Sequence, residues 1–371
     1  MLIYFRVDAS LLIGTGHVMR CLSLAEQLHD EGNEIGFICR EHLGNLTDYI
    51  KSKGYTVHTL LNPVLNPVAQ KSSIHSDIPP YPNWLGVSWH EDAEQTLNQL
   101  NLLEKRVDWL VLDHYSLDEQ YEKMLRPYVN KILVIDDLAN RKHDCDVLLD
   151  HNYFDNMANR YEGLISRQCQ LVVGPTYALL RKEFQTAQAA VRVRDGHIRN
   201  VLVSFGGVDI TGETMKTLQA LWPFAQQGLI IHVLLGKMNP HNAAIMDFCR
   251  KMPHCFAYEH VENMRELMED ADIAIGAGGT TTWERCCLGL PSLVITTAQN
   301  QEGLTEHVTR TGATGYLGKS NEVTSWIIHE RVKQMMTHPE QCREMSARAS
   351  QLVDGLGISR ICKELRKWSD I

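Results

Sequence analysis

Two glycines and a histidine, G-T-G-H at Gly14 to His17, follow a short apolar run, L-I-Y-F-R-V at residues 2–7, and lead into a helix-like pattern. A dinucleotide fingerprint would carry a third glycine three residues after Gly16, where Met19 stands, and a P-loop would carry Gly-Lys-Ser/Thr, which is absent. The stretch is therefore a strand–turn–helix joint whose glycines let a ligand approach the backbone closely. His17 stands in the first helical turn, where the positive end of the dipole favours a neutral imidazole. Two roles fit it: a general base that takes a proton from water, or a histidine that caps and packs the helix start.

A second constellation is G-A-G-G-T-T-T-W-E-R-C-C-L-G-L-P, residues 276–291. A strand ends at Gly276, small residues Gly278, Gly279 and Thr280 follow, and a helix begins near Thr281. Backbone N–H groups at such a start can face a diphosphate. Glu284 falls one turn in. It either accepts hydrogen bonds from two vicinal ribose hydroxyls or is simply an acid favoured by the helix dipole. Gly-Leu-Pro then stops the helix.

Three smaller groups sit at expected strand ends. In S-F-G-G-V-D (204–209), Gly206 and Gly207 permit a tight turn or a close ligand, and Asp209 either caps the next helix or touches a sugar hydroxyl. In T-T-A-Q-N-Q-E (296–302), Asn300 and Gln301 offer amides suited to hydroxyl or acetamido groups, against a background of ordinary loop polarity. In L-D-H-Y (112–115), Asp113, His114 and Tyr115 are expected to face the same cleft as His17. Asp136–Asp137 and His143-Asp144-Cys145-Asp146 match no zinc or EF-hand spacing, so turn roles and no metal are expected there.

These residues must be positioned by alternating elements. Strand-like runs recur at 2–7, 35–39, 56–60, 107–113, 131–137, 146–150 and 170–174. Helical patterns lie between them, as at 17–30, where Val18, Leu22, Ala25 and Leu28 form one apolar stripe. The pattern restarts at 200–207, 229–236, 272–279 and 291–297. Alternation of this kind means α/β architecture with parallel sheets, here two tandem Rossmann-like domains. The polar, basic stretch 185–199 marks the boundary, giving domains 1–190 and 191–371, the second carrying the C-terminal helices. From about 321 the chain is helical, interrupted near His338–Pro339 and Gly355–Gly357. Residues 61–90 read as a long loop. Ligands of such folds bind at the carboxyl ends of the strands, and hence in an interdomain cleft.

The bulk properties narrow the class. At 371 residues, 44% hydrophobic and 22% charged, the chain has the length of two domains and the composition of a soluble globular protein. No apolar run approaches the ~20 residues that span a bilayer. The N-terminus lacks a secretory pattern, so no membrane and a cytoplasmic location are expected. The ten cysteines include no C-x-x-C pair and read as small buried hydrophobes. A net charge of −9 disfavours a nucleic-acid partner but not a nucleotide held by backbone amides.

Together, R-V-D-A-S-L-L-I-G-T-G-H-V-M-R-C-L, W-L-G-V-S-W-H-E-D-A-E-Q-T, V-L-D-H-Y, D-D-L-A-N-R-K-H-D-C-D, Y-A-L-L-R-K-E-F, S-F-G-G-V-D and the 276–291 stretch closely resemble the UDP-sugar hydrolases of pseudaminic acid biosynthesis, in order, from about residue 3 to 320. That family is similar to the inverting N-acetylglucosaminyltransferase of peptidoglycan synthesis and shares its two-domain GT-B fold. The resemblance implies a UDP-sugar partner, UDP-2,4-diacetamido-2,4,6-trideoxy-β-L-altropyranose. Water cleaves its anomeric C–O bond with inversion, and the freed sugar goes on to condensation with phosphoenolpyruvate. It implies no metal or organic cofactor, and a monomer is expected. Carried over, His17 is the active-site histidine, Gly16, Tyr115, Asn300 and Gln301 are on the sugar side, and Gly207, the Gly278–Thr282 loop and Glu284 are on the UDP side. The 61–80 loop aligns least well. Two other classes stay in view: a GT-B glycosyltransferase using a UDP-amino sugar donor, and a non-catalytic UDP-sugar-binding protein.

Overall fold

The computed structural model describes residues 1–62, 81–185, 192–259, 261 and 263–368. The 63–80 part of the long loop and residues 186–191 of the boundary stretch lie outside the described residues.

The chain divides into two compact units. Unit 1 holds one sheet of seven strands, all parallel, in the order β3-β2-β1-β4-β5-β6-β7. They are β1 (Leu2–Val7), β2 (Glu34–Arg40), β3 (Thr56–Leu60), β4 (Val107–Asp113), β5 (Val129–Ile135), β6 (Val147–Asp150) and β7 (Gln170–Val173). Unit 2 repeats the scheme with six parallel strands in the order β10-β9-β8-β11-β12-β13. These are β8 (Asn200–Ser204), β9 (Ile230–Leu234), β10 (Cys255–Tyr258), β11 (Ile273–Ala277), β12 (Ser292–Thr296) and β13 (Gly315–Lys319). All the expected strands form. Two more, β10 and β13, close the edges of the second sheet. Each has one neighbour and is only partly buried; β10 is the short apolar run C-F-A-Y, and β13, G-Y-L-G-K, is interrupted by glycine and lysine.

The central strands are apolar on both faces because helices cover both. Alternation along β1 sends Ile3, Phe5 and Val7 into one core with Val18, Leu22, Ala25 and Leu28 of the helix Gly16–Asp30. Leu2 and Tyr4 enter a second core with Ala93, Leu100 and Tyr121. Arg6, on the Tyr4 face, meets Asp92 of the helix Trp89–Asn101. Both are fully buried.

The expected boundary at 190/191 lies outside the described residues. Unit 1 comprises Met1–His151, Asn156–Leu179 and Ile358–Ile371, and unit 2 comprises Asn152–Asp155 and Leu180–Gly357. Composition marks a polar stretch, but packing decides: Phe184 is buried in unit 2, its carbonyl accepting from Cys287 Sγ. The last helix, Gly357–Lys367, puts Ile358, Ile361, Cys362 and Leu365 into the first core of unit 1, not into the second domain. Among the described residues no helix is long and apolar enough to cross a membrane.

Candidate functional site

In each sheet the strand order reverses at one point, between β1 and β4 and between β8 and β11. Beyond the carboxyl ends of such strands the connections diverge and leave room for a ligand. Most of the sequence-derived candidates fall at these two places; Asn300 and Gln301 follow the neighbouring strand β12.

In unit 1 the register pairs Val7 with Asp113, which sets the end of β4 beside the end of β1. His17 comes from the first turn of the helix after β1. Its Nδ1 lies 2.6 Å from Asp113 Oδ1, a partner 96 residues away. Arg20, one turn along, donates Nε and Nη2 to the two oxygens of the same carboxylate at 2.7 and 2.6 Å. Burial alone would raise the Asp113 pKa. The Arg20 charge, and after it His17, overrides this and holds the carboxyl well below the usual carboxylate range. A carboxylate at Nδ1 favours the tautomer that carries its proton there, with the lone pair on Nε2, although Arg20 Nη2 also lies 3.1 Å from Nδ1. The orienting group of His17 is thus Asp113 as well as the helix start.

Tyr115 stands edge-on to the His17 ring, centroids 4.6 Å apart, and Trp84 stacks on Tyr115 at 5.6 Å. The Tyr115 hydroxyl is committed: it donates to Asp137 Oδ1 at 2.5 Å, and burial together with Asp137 pushes its pKa well up. What Tyr115 offers is therefore an aromatic wall rather than a free hydroxyl.

His114 departs from expectation. In the turn after β4 it points away from Asp113 and Tyr115 toward Asp8, with Nε2 3.5 Å from Asp8 Oδ2 and Nδ1 accepting from the Ser116 N–H. Burial lowers its pKa to about 3, so it is neutral. Asp8 also takes Arg6 Nη1 at 2.6 Å and the Arg40 N–H at 2.7 Å, while Asp92 bridges Arg6 and Arg40. This buried charge layer underlies the end of β1. At the end of β6, His151 is buried, its Nδ1 has no hydrogen-bond partner, and burial followed by the nearby Arg20 charge brings its pKa to about 3. The acidic cluster of 136–146 has turn and helix partners: His143 pairs with Glu122, Arg126 with Asp144 and Asp146, and Asp136 accepts from the Ala139 N–H.

In unit 2, Gly206 at the end of β8 has φ +82°, and a Cβ on Gly236 would lie 2.1 Å from the Gly207 carbonyl oxygen. The turn needs glycine there because two backbones touch. Asp209 serves the start of the helix Glu213–Ala225 from three residues before its N-cap Gly212: its two carboxylate oxygens accept the N–H groups of Glu213 and Thr214 at 2.9 and 3.0 Å. After β11, a Cβ on Gly278 would meet Thr305 Oγ1 at 2.3 Å, whereas one on Gly279 would meet nothing within 4 Å. The helix Thr281–Cys287 starts where expected, with the Thr282 and Trp283 N–H groups closing on the Gly279 and Thr280 carbonyls.

Glu284 is buried and gripped by Arg181, Nε to Oε1 at 2.8 Å and Nη2 to Oε2 at 3.0 Å. A carboxylate retains further lone pairs for a diol, but in this state it is one half of an ion pair. Gln301 Oε1 accepts from the Thr297 N–H and hydroxyl, leaving its amide NH2 as the uncommitted end. Asn300 is exposed beside it. The structure therefore gathers Gly16, His17 and Tyr115 at the strand ends of unit 1. It gathers Gly207, Gly278, Gly279, Thr280, Thr281, Glu284, Asn300 and Gln301 at those of unit 2. Sequence reasoning passed over Arg20, Trp84 and Arg181, and gave Asp137 a turn role only. Arg181 stood within the Y-A-L-L-R-K-E-F motif, but nothing local pointed to Glu284.

Two Rossmann-like units with parallel sheets of seven and six strands are the architecture of GT-B glycosyltransferases. MurG of Acinetobacter baumannii superposes over 99% of each chain with a TM-score of 0.66 at 12% identity. LpCGTa, solved in complex with UDP, does so over 99% of each chain with a TM-score of 0.67 at 12% identity. Residues 209–359 match the glycosyltransferase family 28 C-terminal domain.

The resemblance expected from the motifs is borne out. The chain is 26% identical over 314 residues, 84% of its length and 97% of the relative's, to the UDP-2,4-diacetamido-2,4,6-trideoxy-beta-L-altropyranose hydrolase of Campylobacter jejuni. It is 27% identical over 262 residues, 69% of its length and 76% of the relative's, to the spore coat polysaccharide biosynthesis protein SpsG of Bacillus subtilis.

Proposed function

We propose that the protein is an enzyme acting on UDP-sugars, and specifically that it hydrolyses UDP-2,4-diacetamido-2,4,6-trideoxy-β-L-altropyranose with inversion. The observation that carries this is the His17–Asp113 pair, which leaves Nε2 as a base at a strand-order reversal. The similarity to the C. jejuni hydrolase along nearly its whole length supports the choice of substrate.

The chemistry asks little of an acid, because UDP leaves readily. It asks for a positioned water, a base, and donors for the charge that develops on the diphosphate. His17 Nε2 takes a proton from water as the oxygen attacks the anomeric carbon, and Asp113 stabilises the imidazolium formed. The bond to the diphosphate oxygen breaks with its electron pair going to UDP. One displacement by water inverts the anomeric centre. The Gly278–Thr282 turn, Gly207 and Glu284 are assigned to the nucleotide. Gly16, Tyr115, Asn300 and Gln301 are assigned to the sugar.

The family 28 match favours a second reading, a GT-B transferase that delivers the sugar to an alcohol. The purified protein, incubated with the UDP-sugar, EDTA and no acceptor, separates the two when UDP release and the anomeric signal are followed by NMR. Release of UDP with inversion is the expected result. Binding without release would sink the hydrolase and leave a transferase or a binding protein.

A further inference from the structure

Arg285 has no part in the function described so far. It is 2% exposed, and among the described residues no carboxylate pairs with it. Nη2 donates to the Ala277 carbonyl and to Thr282 Oγ1, both at 3.0 Å, and Nη1 reaches Thr281 Oγ1 at 3.4 Å. Nε has no acceptor. The side chain leans back along its helix, as helical side chains do, so the guanidinium lies at the start of the helix Thr281–Cys287. A cation there faces the positive end of the helix dipole, opposite to the favourable arrangement. Burial lowers its pKa only to about 10, so it stays charged at neutral pH.

Arg194 shows the ordinary solution in the same unit. It is also buried, but it donates to four carbonyls, Met268, Ala271, Leu288 and Gly289, at the ends of two helices, where cations are welcome. Arg285 has a single carbonyl. The adjacent acid, Glu284, is already gripped by Arg181. A second buried polar atom without a partner, Thr305 Oγ1, borders the same turn at Gly278. Thr305 Oγ1, beside Gly278, is an atom that an occupant of the turn could satisfy.

The hydrogen bonds also carry a direction. A hydroxyl oxygen that accepts from a guanidinium keeps its own proton for another acceptor. Arg285 thereby makes donors of Thr281 and Thr282, the polarity that an anion requires. We infer that Arg285 is a positioning residue for the diphosphate: it orients the two threonine hydroxyls and supplies buried positive charge that the nucleotide's phosphates neutralise. This rests on the UDP reading above and goes beyond it in naming the phosphates, not the ribose or base, as what Arg285 serves.

Calorimetric titration of UDP, uridine and pyrophosphate into the full-length protein, Arg285→Met and Arg285→Lys tests it. Arg285→Met is expected to weaken UDP and pyrophosphate about tenfold or more while leaving uridine unchanged, and Arg285→Lys to recover part of the loss. Unchanged UDP affinity would overturn the inference. So would equal weakening of uridine and UDP with a lowered melting temperature of the free protein, the signature of a merely structural arginine. If Arg285→Met does not fold, Arg285→Lys decides by the same comparison of UDP with uridine. Wild type that binds pyrophosphate in an Arg285-dependent way, but neither UDP nor uridine, would remove the nucleotide reading and keep this one. Wild type that binds none of the three would remove both.

Discussion

At the scale of single residues, His17, the proposed base, and Asp113 form one unit. Asp113→Asn replaces an acceptor-only group with one that can also donate to Nδ1, which moves the imidazole proton to Nε2 and blocks the base. We expect turnover to fall about 10²- to 10⁴-fold, with UDP affinity changed less than twofold. His17→Ala should abolish turnover with UDP binding likewise intact. Single-turnover rates and calorimetric UDP titration check both, and lost UDP binding would argue against the division of labour. Two other histidines set a pH dependence. His114 and His151 have folded pKa values of about 3 against 6.5 for the free side chain. Below pH 6.5 the unfolded chain takes up protons that the folded one refuses. Stability is therefore complete above that pH and falls toward pH 3, by up to about 1.4 kcal/mol per pH unit for each histidine. Asp113 has the opposite history, a depressed acid whose contribution is complete above its ordinary value of 3.8 and is lost only as the pH falls below it. Urea midpoints measured from about pH 7 to pH 5 should decline, and His151→Gln should flatten the decline by roughly half.

Elements decide which residues can meet. The end of β4 and the turn that follows it send Asp113 and Tyr115 to His17 and His114 to Asp8, although the three are consecutive. The sequence motif L-D-H-Y is silent on this until the register of β4 on β1 is known. The turn after β11 makes a similar distinction between adjacent glycines. A methyl at Gly278 would collide with Thr305, and one at Gly279 would point into open space. Gly278→Ala should cost about 1–3 kcal/mol of unit 2 stability in urea and weaken UDP, while Gly279→Ala should stay within about 0.5 kcal/mol. Equal destabilisation by both would show that the turn is not packed as described.

For the whole molecule, the consequential feature is the return of the chain to unit 1. Ile358, Ile361, Cys362 and Leu365 are all essentially buried there. A chain ending at Gly357 should lose several kcal/mol of unit 1 stability, on the order of 1.5–3 kcal/mol for each large apolar side chain returned to water. Differential scanning calorimetry should then show an early transition for unit 1, with the UDP-induced shift of the unit 2 transition preserved. A single transition, lowered as a whole, would mean that the two units unfold as one.

Local chemistry by itself determined much of this protein. Apolar runs alternating with helical stripes specify two parallel α/β units. Glycine turns specify where backbones approach, and Asp209 specifies a helix start, since a capping carboxylate acts within a few residues of its own helix. The helices from 321 onward, with breaks at 338–339 and 355–357, follow from the same short-range rules. Tertiary structure alone decided the partners. Asp113 rather than Asp8 or Asp137 orients His17, Arg181 closes on Glu284, and the last helix joins unit 1. The edge strand β13, G-Y-L-G-K, forms because β12 satisfies its backbone, while the short run C-F-A-Y of β10 finds its place beside β9. Each of these outcomes is a competition among several chemically equivalent candidates. Registers and buried charges tens to hundreds of residues apart settle that competition, and periodicity, which reaches only a few residues, carries no record of it.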